Sequence, residues 1–232
     1  MRLVKLIANL GYGSRKEIQK AIRNGWVTDR DGNTLKADSK MPHEDILFDD
    51  EPLDPPDGMV LLMNKPLGYT CSTKDQGRLV YDLLPDRFRM RKPVLSTIGR
   101  LDKETSGALL FTDDGTFLHK VISPKSEVPK VYEADLDRPL KGNEAALFAS
   151  GEMMLENEQK PLKPAELEIL DDTRVRLTLH EGRYHQVRRM FAATGNHVNA
   201  LSRIQIGGLG LEGLADGEWK LLGEDEKARI FG

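Results

Sequence analysis

The stretch Gly99-Arg100-Leu101-Asp102-Lys103-Glu104-Thr105-Ser106-Gly107-Ala108-Leu109-Leu110 runs from a polar loop into an apolar segment. Two glycines bracket the loop, and the apolar residues that follow predict a buried strand. Asp102 therefore lies where the edge of a sheet would present its side chain. Arg100 and Lys103 are close in sequence and favour an ionised carboxylate, which can act as a nucleophile or a general base. Aspartates in glycine-flanked loops also form turns, so this pattern alone leaves both roles open.

The segments around this stretch predict more strands than helices. Strands are predicted at residues 60–63, 108–112, 131–136, 165–170 and 174–179, and helices at about 115–122, 142–150 and 184–194. Because the helices are not regularly interleaved with the strands, the pattern favours an α+β fold with a mainly antiparallel sheet over a doubly wound α/β fold.

A basic amphipathic helix is predicted to begin near residue 15. Ser14 and Glu17 fit a capping box, with Ser at the N-cap and Glu three residues later. Apolar side chains share one face of this helix, namely Ile18, Ala21 and Ile22. Basic side chains share the opposite face, namely Lys16, Lys20 and Arg23, with Arg15 beside them. Such a stripe can follow a phosphate backbone.

Two domains are predicted from the distribution of turns and prolines. Residues 1–51 are expected to form two short helices followed by small strands, with a hairpin at Asp31-Gly32. Residues 52–58 lie in a proline-rich stretch and are interpreted as a linker. Residues 59–232 are expected to form a larger α+β domain.

Composition limits the classes of function. The chain has 232 residues, 34 Lys+Arg and 37 Asp+Glu, and a formal charge of −3. The charges are segregated along the chain, so this total does not exclude binding to a polyanion. Cys71 is the only cysteine, which rules out an intrachain disulfide and a cysteine-based zinc site. The longest apolar run, residues 59–63, is too short to span a bilayer, and the start of the chain lacks a signal-peptide core. We therefore expect a cytoplasmic protein without a metal site.

Four motifs resemble those of pseudouridine synthases. Residues 99–110 are similar to the family signature G-R-L-D-x-x-T-[ST]-G-L, with Ala108 where the signature usually has Leu. Asn64-Lys65-Pro66-Leu67-Gly68-Tyr69 resembles the K-P-x-G motif, and Lys130-Val131-Tyr132 resembles the K-x-Y segment. The stretch 181–190, which reads EGRYHQVRRM, resembles the third motif. Residues 1–50 are similar to the S4-like RNA-binding domain that precedes the catalytic domain in these enzymes.

The resemblance implies roles for individual residues. Asp102 is expected to be the catalytic carboxylate, Tyr132 to stack on the target uracil, and Arg188 to pair with Asp102. Val187 is expected to form an apolar wall of the pocket and Lys65 to support the site. Phosphate contacts or structural pairing are expected of Arg100 and Arg189, and the RNA backbone is expected to contact Arg15, Lys16, Lys20 and Arg23.

The tail of the third motif and the segment 195–208 are most similar to the RsuA-type subgroup of the family. That resemblance implies isomerisation of uridine 516 of 16S ribosomal RNA, in naked rRNA or in a small-subunit assembly intermediate. It implies no cofactor, because the reaction needs neither redox change nor energy input, and a monomer would suffice. Three alternatives remain open: modification of a 23S rRNA site, a non-catalytic RNA-binding or ribosome-assembly role, and a carboxylate-based nucleosidase that releases free uracil.

Overall fold

The computed structural model describes residues 2–232 and contains two sheets, of three and nine strands. In residues 2–53, called here the N-terminal unit, α1 (Leu3–Asn9) and α2 (Arg15–Arg23) precede β1 (Val27–Asp29), β2 (Ile46–Phe48) and β3 (Glu51–Pro52). This order confirms the two predicted helices followed by small strands. Apolar side chains from both helices and the sheet form one core, including Ile7, Leu10, Ile18, Val27 and Ile46.

The capping box at the start of α2 is confirmed. The Glu17 backbone N–H donates to Ser14 Oγ at 3.3 Å, and the Ser14 backbone N–H donates to Glu17 Oε2 at 2.7 Å. The helix begins at Arg15 because these two bonds satisfy backbone donors that have no partner within the helix.

The predicted hairpin at Asp31-Gly32 forms only in part. The turn itself is present, because the Asp29 carboxylate accepts from the backbone N–H groups of Asp31 and Asn33. A single bridge, Thr28 to Thr34, joins the two sides of the turn. The strand that pairs with β1 is β2, 17 or more residues further along the chain.

The segment 52–58 is held by contacts to both units of the chain. Its first residue, Pro52, belongs to β3, which places the end of the N-terminal sheet inside the predicted linker. Further along, Arg91 donates to the Pro55 carbonyl oxygen at 2.9 Å and forms a buried ion pair with Asp113 at 2.8 Å. These contacts hold the segment against the larger unit.

The larger sheet has the strand order β12-β4-β6-β10-β7-β9-β8, with β5 paired to β6 and β11 to β10. The strands are β4 (Val60–Lys65), β5 (Ser96–Ile98), β6 (Ser106–Thr112), β7 (Lys130–Leu136), β8 (Glu166–Ile169), β9 (Arg174–Leu179), β10 (Val198–Ile206), β11 (Leu209–Gly210) and β12 (Trp219–Leu221). All pairings are antiparallel except β6 with β10. The predicted α+β class with a mainly antiparallel sheet is therefore confirmed.

Five α-helices accompany this sheet: α3 (Asp86–Arg89), α4 (Gly115–Ile122), α5 (Glu144–Ala149), α6 (Gln186–Ala193) and α7 (Glu224–Arg229). Short 3-10 turns occur at His43–Asp45 and Val80–Leu83. Alternate residues of β4 and β6 enter two different apolar clusters, since successive side chains of a strand point to opposite faces. Across residues 2–232, no helix has both the length and the apolar character needed to cross a membrane.

Candidate active site

A cavity of about 560 Å³ opens beside the loop that carries Asp102. Its walls come from the loop 99–105, from β7 and β10, and from the segment 179–187 that leads into α6. Among the residues expected at the site, the lining includes Arg100, Asp102, Tyr132 and Val187. The fold therefore brings together residues that are up to 87 positions apart in sequence.

The side chain of Lys65 holds the backbone of the loop that carries Asp102. This side chain is fully buried, and its Nζ donates to the carbonyl oxygens of Thr105 at 2.8 Å and Pro66 at 3.0 Å. Burial lowers the pKa of Lys65, while the negative charges of nearby groups, including Asp102, oppose that shift. Lys65 thus holds the backbone three residues after Asp102, a position compatible with the supporting role that the resemblance implies.

The other end of the loop is fixed by a close approach of two strands. Gly107 has a φ of +104°, and a Cβ on this residue would lie 2.2 Å from the carbonyl oxygen of Arg203. Only glycine fits where the parallel strands β6 and β10 come this close. The second glycine of the Asp102 stretch is therefore required by packing.

The basic group that contacts Asp102 is His185. Its Nε2 lies 3.3 Å from Asp102 Oδ1, and both side chains are about one-third exposed, at 38% and 32%. His185 precedes α6 and has a left-handed backbone with a φ of +48°, a conformation that non-glycine residues seldom adopt. The exposed ring of Tyr184 stacks on it, with centroids 3.9 Å apart. Sequence reasoning missed His185; its only signal was its position inside the third motif.

The expected ion pair between Arg188 and Asp102 is not present. Arg188 instead donates to the carbonyl oxygens of Glu104 at 2.9 Å and Val198 at 2.8 Å. No carboxylate within residues 2–232 lies at ion-pair distance from this guanidinium. Its two carbonyl contacts tie α6 to the Asp102 loop and to β10, so in this structure Arg188 braces the loop.

Two residues form the less polar walls of the cavity. Tyr132 is 9% exposed and lies on β7, directly opposite Arg203 of β10. Val187 is 3% exposed and lies in the first turn of α6. Both positions are compatible with the stacking and wall roles that the resemblance implies.

The remaining candidate residues divide into exposed and paired groups. Arg100 is exposed at the cavity. Arg189 is paired: its Nη1 lies 2.8 Å from Glu158 Oε1 and 3.2 Å from the Tyr184 carbonyl oxygen. Of its two expected roles, the structure shows structural pairing. The basic side chains of α2 are exposed and none of them lines the cavity; they are Arg15, Lys16, Lys20 and Arg23.

Comparison with known proteins defines the class. The family model described as RNA pseudouridylate synthase matches residues 59–193, which include the Asp102 loop, β7 and the whole of α6. A solved structure described as a pseudouridylate synthase is 39% identical, covers 99% of both chains and superposes with a TM-score of 0.70. The chain belongs to the RNA pseudouridylate synthase family, and it is therefore an isomerase.

Within this family the chain is of the RsuA type. It is 42% identical to ribosomal small subunit pseudouridine synthase A of Escherichia coli (strain K12), over 99% of this chain and 100% of that protein. The protein of the same name from Haemophilus influenzae is also 42% identical, over 99% of both. An uncharacterised RNA pseudouridine synthase of Bacillus subtilis is 37% identical over 97% of this chain.

Proposed function

We propose that this enzyme isomerises uridine 516 of 16S rRNA to pseudouridine, with Asp102 as the catalytic carboxylate. The observation that carries the catalytic assignment is the shared cavity, in which the part-exposed carboxylate of Asp102 faces the same space as Tyr132. The choice of RNA rests on full-length similarity to enzymes named for the small ribosomal subunit.

The reaction breaks the N1–C1′ bond of the uridine, turns the uracil and joins its C5 to C1′. Asp102 supplies a carboxylate that can attack C1′, add to the base or take a proton from C2′. His185 contacts one oxygen of this carboxylate and holds its orientation, and Lys65 and Arg188 hold the loop behind it. Tyr132 stacks on the uracil and keeps it in the cavity while it turns.

The uridine must leave its helix or loop to reach Asp102. Base flipping costs a few kcal/mol, which stacking in the cavity and contacts to the RNA backbone offset. In this proposal residues 1–51 are an S4-like RNA-binding domain, and the exposed basic face of α2 supplies phosphate contacts. The protein acts as a cytoplasmic monomer on rRNA or on a small-subunit assembly intermediate.

The decisive test compares the wild type with Asp102→Asn. With RNA tritiated at C5 of uridine, the wild type releases one tritium per isomerisation, and Asp102→Asn is expected to release none above background while binding RNA normally. Substantial turnover by Asp102→Asn would overturn the catalytic assignment. Release of free uracil by the wild type, seen by chromatography, would indicate a nucleosidase instead.

The target site needs a separate measurement. Pseudouridines are mapped by carbodiimide-dependent primer-extension stops in cells that lack this gene and in the same cells complemented with the wild type. Loss and recovery of the stop at uridine 516 is the expected result. If a stop in 23S rRNA changes instead, the target lies in that RNA. If no stop changes in either RNA, an RNA-binding or assembly role is favoured. Purified 16S rRNA and isolated assembly intermediates, assayed side by side, identify the substrate form.

A further inference from the structure

Arg203 is a buried cation in the cavity that the mechanism above does not use. It is 3% exposed, lies on β10 and lines the same space as Asp102. Its Nε donates to the Ala108 carbonyl oxygen at 2.8 Å. Its Nη2 is buried and has no hydrogen-bond partner among residues 2–232. A buried donor without a partner is costly, and a catalytic role is one of the explanations for such a group.

A second cation, Lys130, lies on the neighbouring strand and also lines the cavity. Its Nζ donates to the Val128 carbonyl oxygen at 2.8 Å. Burial, and secondly the positive charge of Arg203, lower the pKa of Lys130 to about 8. In the described part of the chain, neither Lys130 nor Arg203 takes part in an ion pair.

The acidic groups of the cavity already have partners. Asp102 contacts His185 at 3.3 Å, and Glu181 pairs with Arg183 at 3.1 Å. The side of the cavity formed by β7 and β10 therefore carries two cationic side chains with which neither of these acidic groups pairs. The guanidinium carbon of Arg203 also lies 6.0 Å from the centre of the Tyr132 ring, so this charge is close to the residue assigned to stack on the uracil.

We infer that Arg203 and Lys130 bind the ring oxygens of the target uracil and stabilise the negative charge that develops on the ring during isomerisation. This inference rests on the proposed assignment of Asp102 and its cavity to the reaction. It gives both residues direct contact with the substrate. Preorganised donors aimed at developing charge are among the largest contributions to catalysis, because they act where water is excluded.

The electron balance explains why a cationic wall is useful. When the N1–C1′ bond breaks, its electron pair stays with N1, and the uracil leaves as an anion whose charge is shared with its oxygens. The electrons that C1′ loses are replaced by a carboxylate oxygen of Asp102, or by the C2′–H bond if Asp102 takes that proton. C5 of the anion then bonds to C1′ as the bond from C1′ to the Asp102 oxygen breaks and its electron pair returns to the carboxylate, or as C2′ takes its proton back from Asp102. The C5 hydrogen leaves as a proton, and N1 gains a proton. If Asp102 adds to the base first, the ring oxygens also gain charge.

The test varies the stability of the uracil anion. Single-turnover rates are measured with a 16S rRNA fragment that carries either uridine or 5-fluorouridine at the target, as loss of the starting nucleoside after digestion. Fluorine withdraws electrons and stabilises the uracil anion, so the reaction rate depends less on stabilisation of that anion by the protein. Arg203→Gln is expected to slow the uridine reaction about a hundredfold and the fluorouridine reaction at least fivefold less. Arg203→Lys should recover part of the rate, and RNA affinity should stay within twofold.

The control is Arg138→Gln, which removes an exposed arginine whose partner is the adjacent Asp137; it should react as the wild type does. If Arg203→Gln fails to fold, Lys130→Met is compared on the same two substrates, with an expected loss of about tenfold for uridine and less for fluorouridine. Equal losses on both substrates would overturn the inference, as would wild-type rates. A loss confined to RNA affinity would overturn it in favour of a phosphate contact.

Asp102→Asn in the same assay separates this inference from the proposed function. If Asp102→Asn is inactive and the Arg203 variants are fully active, only the role inferred for the two cations is refuted. An active Asp102→Asn would remove the catalytic assignment, whatever the Arg203 variants do.

Discussion

In the N-terminal unit the buried side chains are apolar and the basic side chains of α2 are exposed, whereas the unit that holds the cavity buries Lys65, Arg203 and Thr105 to 3% exposure or less. Exposed charges are screened by salt and give binding that falls with ionic strength. Desolvated charges interact more strongly with a bound substrate but are costly to bury. Under the proposed function, the first region supplies RNA affinity and the second supplies turnover.

After the loss of the carboxylate itself, the largest effect is expected from Tyr132→Ala, which removes the ring at the cavity wall. Turnover should fall at least a hundredfold, because a uracil without a stacking partner is poorly held for rotation. RNA affinity, measured by filter binding, should change less than twofold, because most of the binding comes from backbone contacts. Tyr132→Phe is the matched control: it keeps the ring and tests only the hydroxyl. If Tyr132→Ala lost affinity and kept its turnover, the division between the two regions would be wrong.

A smaller loss, about tenfold in kcat, is expected from Lys65→Met. This change removes the donors that hold the Thr105 and Pro66 carbonyl oxygens, so the Asp102 loop becomes less well positioned. Because Lys65 acts through the loop, KM for RNA should change less than twofold. A rise in KM with unchanged kcat would instead make Lys65 an RNA contact. Thermal unfolding of the variant checks that the fold is retained.

The comparison also shows which features local sequence can predict. The Asp102 loop and β6 were predicted because glycines and an apolar run mark them directly. The strand β10 was missed because register shifts between Val198 and Ala200 and between Arg203 and Gln205 interrupt its alternation. Since β10 carries Arg203, the buried cation was missed with it.

The partner of Asp102 shows a second limit. The resemblance of the third motif predicts Arg188 as the basic partner of the carboxylate. The side chain that reaches Asp102 belongs to His185, three positions earlier, because a left-handed residue turns the chain just before α6. Backbone reversals of this kind carry little local signal, since the residue concerned is not glycine. The contacts of Arg91 that hold the segment 52–58 also carry little local signal, because they join residues that are distant in sequence.

A charge change on α2 tests whether the N-terminal unit contributes to RNA affinity. The double variant Lys16→Gln/Lys20→Gln should bind RNA several-fold more weakly, and the slope of log affinity against log salt should fall by about 1.5, since each phosphate contact contributes about 0.7–0.9. Turnover at saturating RNA should be unchanged. Lys36→Gln/Lys40→Gln makes the same charge change at two other exposed positions of the N-terminal unit and should bind as the wild type does. Equal losses in the two double variants would show a non-specific charge effect.

The smallest effect is expected from Ser14→Ala, which removes the cap of α2 and leaves its charges in place. Loss of an N-cap costs about 1 kcal/mol, which corresponds to a fall of about 2–4 °C in the unfolding midpoint for a chain of this size. Hydrogen bonds from the Ser14 side chain and backbone hold the pKa of Glu17 below its usual 4.5, so the stabilisation they give is present at neutral pH and is lost as the pH falls through that lowered pKa. The difference between wild type and variant should therefore be larger at pH 7 than at pH 3. RNA affinity should fall less than twofold, because Ile18, Ala21 and Ile22 still pack the helix in place. An affinity loss as large as that of the double lysine variant would mean that the orientation of α2, more than its charge, determines RNA binding.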